Sequence, residues 1–283
     1  MTTQKLMANL ETRAALRKIG GEGDDAFEIG RAALLLAALD HPLSDITSYL
    51  DHLAELANDV NSLVRRDTDH HASNRTDALA NIIATERGYR GDTHTYDDSQ
   101  NANLMSVIDR RKGLPVGLAI IYLDVAHRLQ WEATGINFPG QFLIRLEHGT
   151  DRRIVDPFNS GIEHNVADLR ALLKQVAGLE AELRPEHYSP VSRRDTLIRL
   201  LNNIKLRAVS ANNYQRGAEI VERMLLIAPQ RLSLLQEASI FYSRIGNLHR
   251  AAMLLENFLT QSTNDAERHE VATLLHRVRS RLN

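Results

Sequence analysis

The chain contains no cysteine, so thiol catalysis, disulfides and zinc–thiolate sites are excluded before any fold is considered. What remains for chemistry is imidazole, hydroxyl and carboxylate. Twelve histidines are present, yet the sequence holds no HExxH, EF-hand loop, Walker A or dinucleotide GxGxxG. His70 and His71, with Asp67 and Asp69 close by, form a loosely metal-like cluster. Adjacent side chains diverge by about 100° on a helix and point to opposite faces of a strand, so an exposed loop or helix end is the better reading. Gly20-Gly21-Glu22-Gly23 follows no strand and reads as a joint, not a phosphate cradle. No metal or cofactor is expected.

The sharpest pattern runs from Asn101 to Gly161. It comprises Asn101-Ala102-Asn103-Leu104, Arg110-Arg111-Lys112-Gly113-Leu114-Pro115, Gly135-Ile136-Asn137-Phe138-Pro139-Gly140-Gln141-Phe142, and Asp156-Pro157-Phe158-Asn159-Ser160-Gly161. Each piece alone is weak. In this order they resemble the bacterial SirB-type family, which has a transglutaminase-like core and tetratricopeptide-like C-terminal helices. The likeness runs from about Tyr89 to the C-terminus, with a looser match before it.

A working site of that type sets a Cys at a helix N-terminus, a His on a neighbouring strand and an Asp on the next. The resemblance carries the nucleophile position to Gly117, the histidine position to Gln141 and the carboxylate position to Asp156. Glycine cannot attack and an amide does not titrate near neutrality, so the triad is degenerate and no catalysis is expected. The family more usually has Pro-Gly-His-Phe where this chain has Pro139-Gly140-Gln141-Phe142. Gln141 and Asp156 are then candidate binding residues in a polar recess. Asp156 also has a plainer reading, fixing the turn before Pro157 by accepting backbone N–H groups. Ser106 and Ser160 lie near the motifs, but no histidine follows a strand where it could activate them. Among the nearest imidazoles, which also include His94 and His164, His127 reads as a packing residue beside an apolar helix face and His148 as part of a turn.

The elements needed to position these residues are legible in outline. Ile46, Leu50, Leu53, Leu56, Ala57, Val60 and Val64 recur at helical spacing, and a second helical pattern holding Leu79, Ile82 and Ile83 runs toward Gly88. Gly91 to Asn103 reads as a polar loop. Pro115 sits at the start of an amphipathic helix with Leu118, Ile121, Tyr122, Val125 and Leu129. Strand-like runs follow at Ala133–Phe138, Phe142–Arg145 and Arg153–Val155, the last two flanking the turn candidate Glu147-His148-Gly149-Thr150. From Ser192 the chain is helical, and Asn213-Tyr214-Gln215-Arg216-Gly217-Ala218 realigns with Asn247-Leu248-His249-Arg250-Ala251-Ala252 at an offset of 34 residues. That is the tetratricopeptide period. Two units are fewer than the roughly three a free-standing solenoid needs, so this segment is expected to pack against other parts of the chain.

The expected architecture is α+β and mostly helical, with a small antiparallel sheet in a transglutaminase-like core. Its parts are an N-terminal helical part over 1–95, the core over 96–190 and a tetratricopeptide-like tail over 191–283. A formal net charge of −2 gives no bulk attraction to nucleic acid or anionic lipid. Arg110-Arg111-Lys112, Arg152-Arg153 and Arg193-Arg194 read as solvated faces. The richest apolar run, Ala32 to Leu39, is far short of a membrane span, and the N-terminus shows no signal-type apolar stretch, so a cytoplasmic location is expected. The leading functional reading is a regulatory or binding protein that takes a protein or peptide partner. The alternatives are a hydrolase or acyl transferase with an unrecognised nucleophile, and a scaffold subunit of a larger complex.

Overall fold

The computed structural model describes residues 3–65 and 72–282, so the His70–His71 cluster lies outside the described residues. In chain order the helices are α1 (Thr3–Gly20), α2 (Ile29–Ala38), α3 (Thr47–Val64), α4 (Ala72–Leu79), α5 (Leu104–Arg110), α6 (Pro115–Arg128), α7 (Val166–Ala177), α8 (Arg193–Ser210), α9 (Tyr214–Ile227), α10 (Leu232–Arg244), α11 (Leu248–Gln261) and α12 (Asp265–Arg279). The strands are β1 (Arg90–Gly91), β2 (Lys112–Gly113), β3 (Glu132–Ile136), β4 (Leu143–His148), β5 (Asp151–Asp156), β6 (Ile162–His164) and β7 (Pro190–Val191). The α+β, mostly helical expectation is borne out.

The chain divides into two compact units. One holds residues 1–12 and 23–200; the other holds Arg13–Glu22 with Leu201–Asn283. The first unit runs across the boundary expected near residue 95, and its helices α2 and α3 pack against α6. The helix α6 is buried along nearly its whole length, so the N-terminal helices serve as its cover and belong to its core.

Within the first unit, β3 to β7 form an antiparallel sheet of order β6-β5-β4-β3-β7. The β4–β5 hairpin pairs His148 with Asp151 across the turn residues Gly149 and Thr150, and Gly149 takes the positive φ (60°) such a turn requires. Side chains alternate between the faces. Ile136, Leu143 and Ile154 join Leu169 and Leu173 of α7 on one face, and Ile144, Leu146 and Val155 are buried on the other. α7 starts from a capping box in which Asn165 and Asp168 satisfy each other's backbone N–H groups. The expected helix through Leu79 to Gly88 is α4 continued by a π-helical segment, Ala80–Glu86. The expected loop over Gly91–Asn103 contains a 3₁₀ turn, Ser99–Ala102, after β1.

The second unit contains the repeat. α9 packs on α10, α10 on α11 and α11 on α12. Asn213 and Asn247 cap α9 and α11 in the same way, with φ/ψ of −86/71° and −87/62°, each accepting from the N–H three residues on. Ala218 and Ala252 are both buried at equivalent places. The last turns of α1 belong to this unit. A Cβ on Gly20 would lie 2.3 Å from the Leu226 carbonyl oxygen and 3.2 Å from Pro229 Cδ, so the residue must be glycine for α1 to approach so closely.

Candidate functional site

The first two motifs assemble around the start of α6. Asn101 is fully buried; its amide donates to the Thr95 carbonyl at 2.6 Å, and its carbonyl accepts the Leu114 N–H at 3.0 Å. Arg110 donates to Asn101 Oδ1 at 3.1 Å and to Asp92 Oδ2 at 2.9 Å. The Asp92 carboxyl is held well below the usual range, first by the Thr95 hydroxyl and then by the Thr95 N–H. Asn103 caps α5 through the Ser106 N–H. Arg111, in the left-handed region at φ 57°, stacks over the Tyr89 ring and bonds both Tyr89 and His52. These arginines were expected on a solvated face, and so was Arg194, which is 5% exposed and bonded to Asp24 at 2.6 Å. All three are instead fixed by partners distant in sequence. Arg152, 72% exposed in its side chain, matches the expectation.

Gly117 sits in the first turn of α6, where the resemblance places a nucleophile. It is buried, and a Cβ there would meet the Asn101 carbonyl oxygen at 3.2 Å and Val107 at 3.6 Å. Asn101 of the first motif and Val107 of α5 therefore lie against the position to which the resemblance carries a nucleophile. Gln141 was expected on a strand. It precedes β4 by two residues, because its N–H bonds Phe138 O at 3.0 Å and closes a turn through Gly140 (φ 76°), delaying pairing to Leu143. Its Oε1 is buried without a hydrogen-bond partner among the described residues. Asp156 ends β5, the neighbour of β4, and is 1% exposed. Its Oδ1 accepts from Phe158 N and Asn159 N at 2.9 and 3.2 Å, and its Oδ2 accepts from Asn159 Nδ2 at 2.7 Å. That is the geometry of a turn-fixing aspartate.

Two residues named in the sequence, His164 and Tyr122, prove to be neighbours of Asp156, a pairing the sequence did not indicate. His164 Nε2 lies 3.5 Å from Asp156 Oδ2, brought there by the β5–β6 hairpin that pairs Asp156 with Ile162. Tyr122 is buried on α6, and its hydroxyl is pushed well above its ordinary range by burial and then by the Asp156 charge. Tyr122 had been assigned to the apolar face of its helix, and only the long-range approach of the 156–161 turn shows otherwise. A hydroxyl–imidazole contact joins Tyr89 Oη to His52 Nε2 at 2.8 Å. Tyr89 is 1% exposed, and burial raises its pKa to about 12. That phenol is a joint between α3 and the Arg111 turn, and a poor nucleophile.

At the outer side of β3 lies a cleft of about 590 Å³ lined by Leu123, His127, Trp131, Thr134, Arg145 and Arg193. His127 Nε2 bonds the Ala133 carbonyl at 2.8 Å, which fixes the ring proton there and leaves Nδ1 as an acceptor. Burial lowers its pKa and favours that neutral form.

Sheet, buried helix and capped repeat together define a transglutaminase-like core followed by tetratricopeptide-like helices, and residues 47–202 and 204–276 match the transglutaminase-like superfamily and a tetratricopeptide repeat family respectively. The chain belongs to the transglutaminase-like superfamily. The SirB-type resemblance is borne out by relatives. A UPF0162 protein of Xylella fastidiosa is 28% identical over 83% of this chain and 84% of its own length. One from Vibrio cholerae is 28% identical over 86% and 90%. Mouse F-box only protein 21 is 24% identical over 60% of this chain and 28% of its own. A solved structure of menin covers 95% of this chain and 74% of its own at TM-score 0.37 and 10% identity, a likeness that carries no argument. Among the described residues no helix is long and apolar enough to cross a membrane.

Proposed function

We propose that this chain is a non-catalytic, regulatory protein-binding protein whose helical unit makes the contact. The observation that carries this reading is the fate of the three triad positions. Gly117 is covered by Asn101 and Val107, Gln141 does not titrate, and Asp156 has both carboxylate oxygens bonded within its own turn. Gly117 offers no nucleophile and Gln141 no base, and the imidazole beside Asp156 is that of His164, with Nε2 3.5 Å from Oδ2. The tetratricopeptide-like helices supply the kind of surface that holds extended or helical peptides.

The test is an activity screen joined to partner mapping. Purified chain is assayed for peptidase, transamidase and deamidase turnover on fluorogenic amides, with a fluorophosphonate probe for serine nucleophiles; no turnover and no labelling are expected. Turnover blocked by the probe and retained in Asp156→Ala would replace this reading with an unrecognised hydrolase. In-cell cross-linking should place partner contacts within residues 201–283; contacts confined to the surroundings of Gln141 would move the binding role to the old cleft.

A further inference from the structure

A cleft of about 590 Å³ opens in the second unit between the end of α1 and the equivalent repeat helices α9 and α11. One wall carries Arg13 and Arg17. The facing wall carries Arg250, Met253, Leu254 and Glu222, with Leu225 and Pro229 beside them. Charge here is lopsided. Glu222 is already engaged, its Oε1 accepting from Arg250 Nε at 2.7 Å and from the Tyr242 hydroxyl at 2.9 Å. Around half-buried Arg13 stand this carboxylate and the guanidinium groups of Arg223, Arg17 and Arg250, and burial is the main cause of its lowered pKa. Arg17 is exposed, and Met253 is 57% exposed although it lines an apolar wall. A whole chain of net charge −2 thus concentrates positive charge, beside apolar side chains, in one recess.

We infer that this cleft binds an acidic peptide segment of a partner protein, its carboxylates against Arg17 and Arg13 and an apolar side chain against Met253 and Leu254. The inference rests on the protein-binding reading above and names the partner's chemistry. A peptide fits better than nucleic acid, because no aromatic ring lines the cleft for base stacking. α1 supplies two of the three arginines that line the cleft, so the site is made jointly by the repeat and a segment from the other end of the sequence.

The test uses full-length protein and two fluorescein-labelled peptide libraries, one randomised over Asp, Glu, Leu and Met, the other over Lys, Arg, Leu and Met. The acidic library should bind saturably and weaken as salt rises. Arg17→Glu and Met253→Asp should each reduce its affinity about tenfold; both positions are exposed, so circular dichroism should be unchanged. Equal binding of both libraries, no binding of the acidic one, or binding unaffected by both substitutions would overturn the inference. So would displacement of the acidic peptides by single-stranded oligonucleotide at lower concentration than by unlabelled peptide. If cross-links still fall within residues 201–283 while the acidic library fails, the protein-binding reading stands and the acidic chemistry alone is wrong. Amide turnover would instead remove the parent reading.

Discussion

The two units use polar side chains in opposite ways. In the sheet-bearing unit, the residues that identify the family turn inward. Asn101, Arg110 and Asp156, with Asp92 as a partner of Arg110, bond to backbone, to one another or to near neighbours, and three of these four are at most 2% exposed. In the helical unit, Arg17, Arg250 and Met253 line an open recess. Motif residues of the sheet-bearing unit thus hold its fold, while the recess proposed to bind a partner lies in a stretch with no catalytic pattern.

The sharpest way to break this contrast is at Asp156. Asp156→Ala removes a buried carboxylate that accepts from the Phe158 and Asn159 N–H groups and from the Asn159 amide, so about 3 kcal/mol of stability should be lost. Asp156→Asn keeps one acceptor oxygen but turns an amide toward Asn159 Nδ2, and about 1 kcal/mol is expected. Urea midpoints followed by circular dichroism measure both. An unchanged midpoint together with lost partner cross-linking would mean that the carboxylate serves a partner and that the inward-turned description is wrong. Gln141→Ala, by contrast, should alter neither quantity.

A second test addresses the close packing of the helical unit. At Gly20 any Cβ meets the Leu226 carbonyl oxygen at 2.3 Å, and backbone cannot swing aside as a long side chain could. Gly20→Ala should cost about 2 kcal/mol through overpacking, despite the better helix propensity of alanine. It should also weaken acidic-peptide binding, since the Arg13 and Arg17 wall shifts with α1. A midpoint equal to wild type would detach α1 from this unit and leave the cleft with a single wall.

A smaller effect probes whether the two repeats are energetic equals. Asn213 and Asn247 have matching backbone angles and accept from equivalent N–H groups at 3.0 and 3.1 Å. Asn213→Ala and Asn247→Ala should each cost about 1 kcal/mol, and the two should agree within a few tenths. Strongly unequal losses would show that the 34-residue likeness is geometric only.

Much of this was readable from sequence where the signal is local. Pro115 marks the start of α6, Gly149 the hairpin turn, and the offset from Asn213 to Asn247 the repeat, because each reports on a few neighbouring residues. The Asn165–Asp168 capping box before Leu169 and Leu173 was equally legible, and α7 could have been found from it. The misses are long-range. Arg110 looked solvated because its partner Asp92 stands 18 positions away, and Tyr122 looked apolar because the turn that brings Asp156 to it comes 34 positions later. The π-helical turn at Ala80–Glu86 has no pattern that distinguishes it from an ordinary helix. The membership of α1 in the helical unit hangs on one glycine meeting one carbonyl 206 positions further on.

The smallest expected effect is a pH dependence confined to the sheet-bearing unit. His52 and His127 both have lowered pKa values, in each case first through burial, with Arg111 adding to it at His52 and Arg193 at His127. A histidine whose folded pKa lies below its unfolded value of about 6.5 resists protonation only while folded. Above that value neither state carries the proton and nothing is lost. As pH falls through about 6.5 the unfolded chain takes up protons that the folded one refuses, so stability declines until the folded pKa is reached. Asp92, whose pKa is depressed, acts lower down; its contribution is intact above the ordinary carboxylate value of 3.8 and fades below it. Between about pH 7.5 and 5.5 the wild-type urea midpoint should therefore fall modestly, and His52→Gln and His127→Gln should each flatten part of that fall. The acidic-peptide affinity of the helical unit should stay level over the same range, since the arginines facing Glu222 remain charged. A flat wild-type midpoint, or a peptide affinity that tracks the two histidine variants, would dissolve the division of labour between the units.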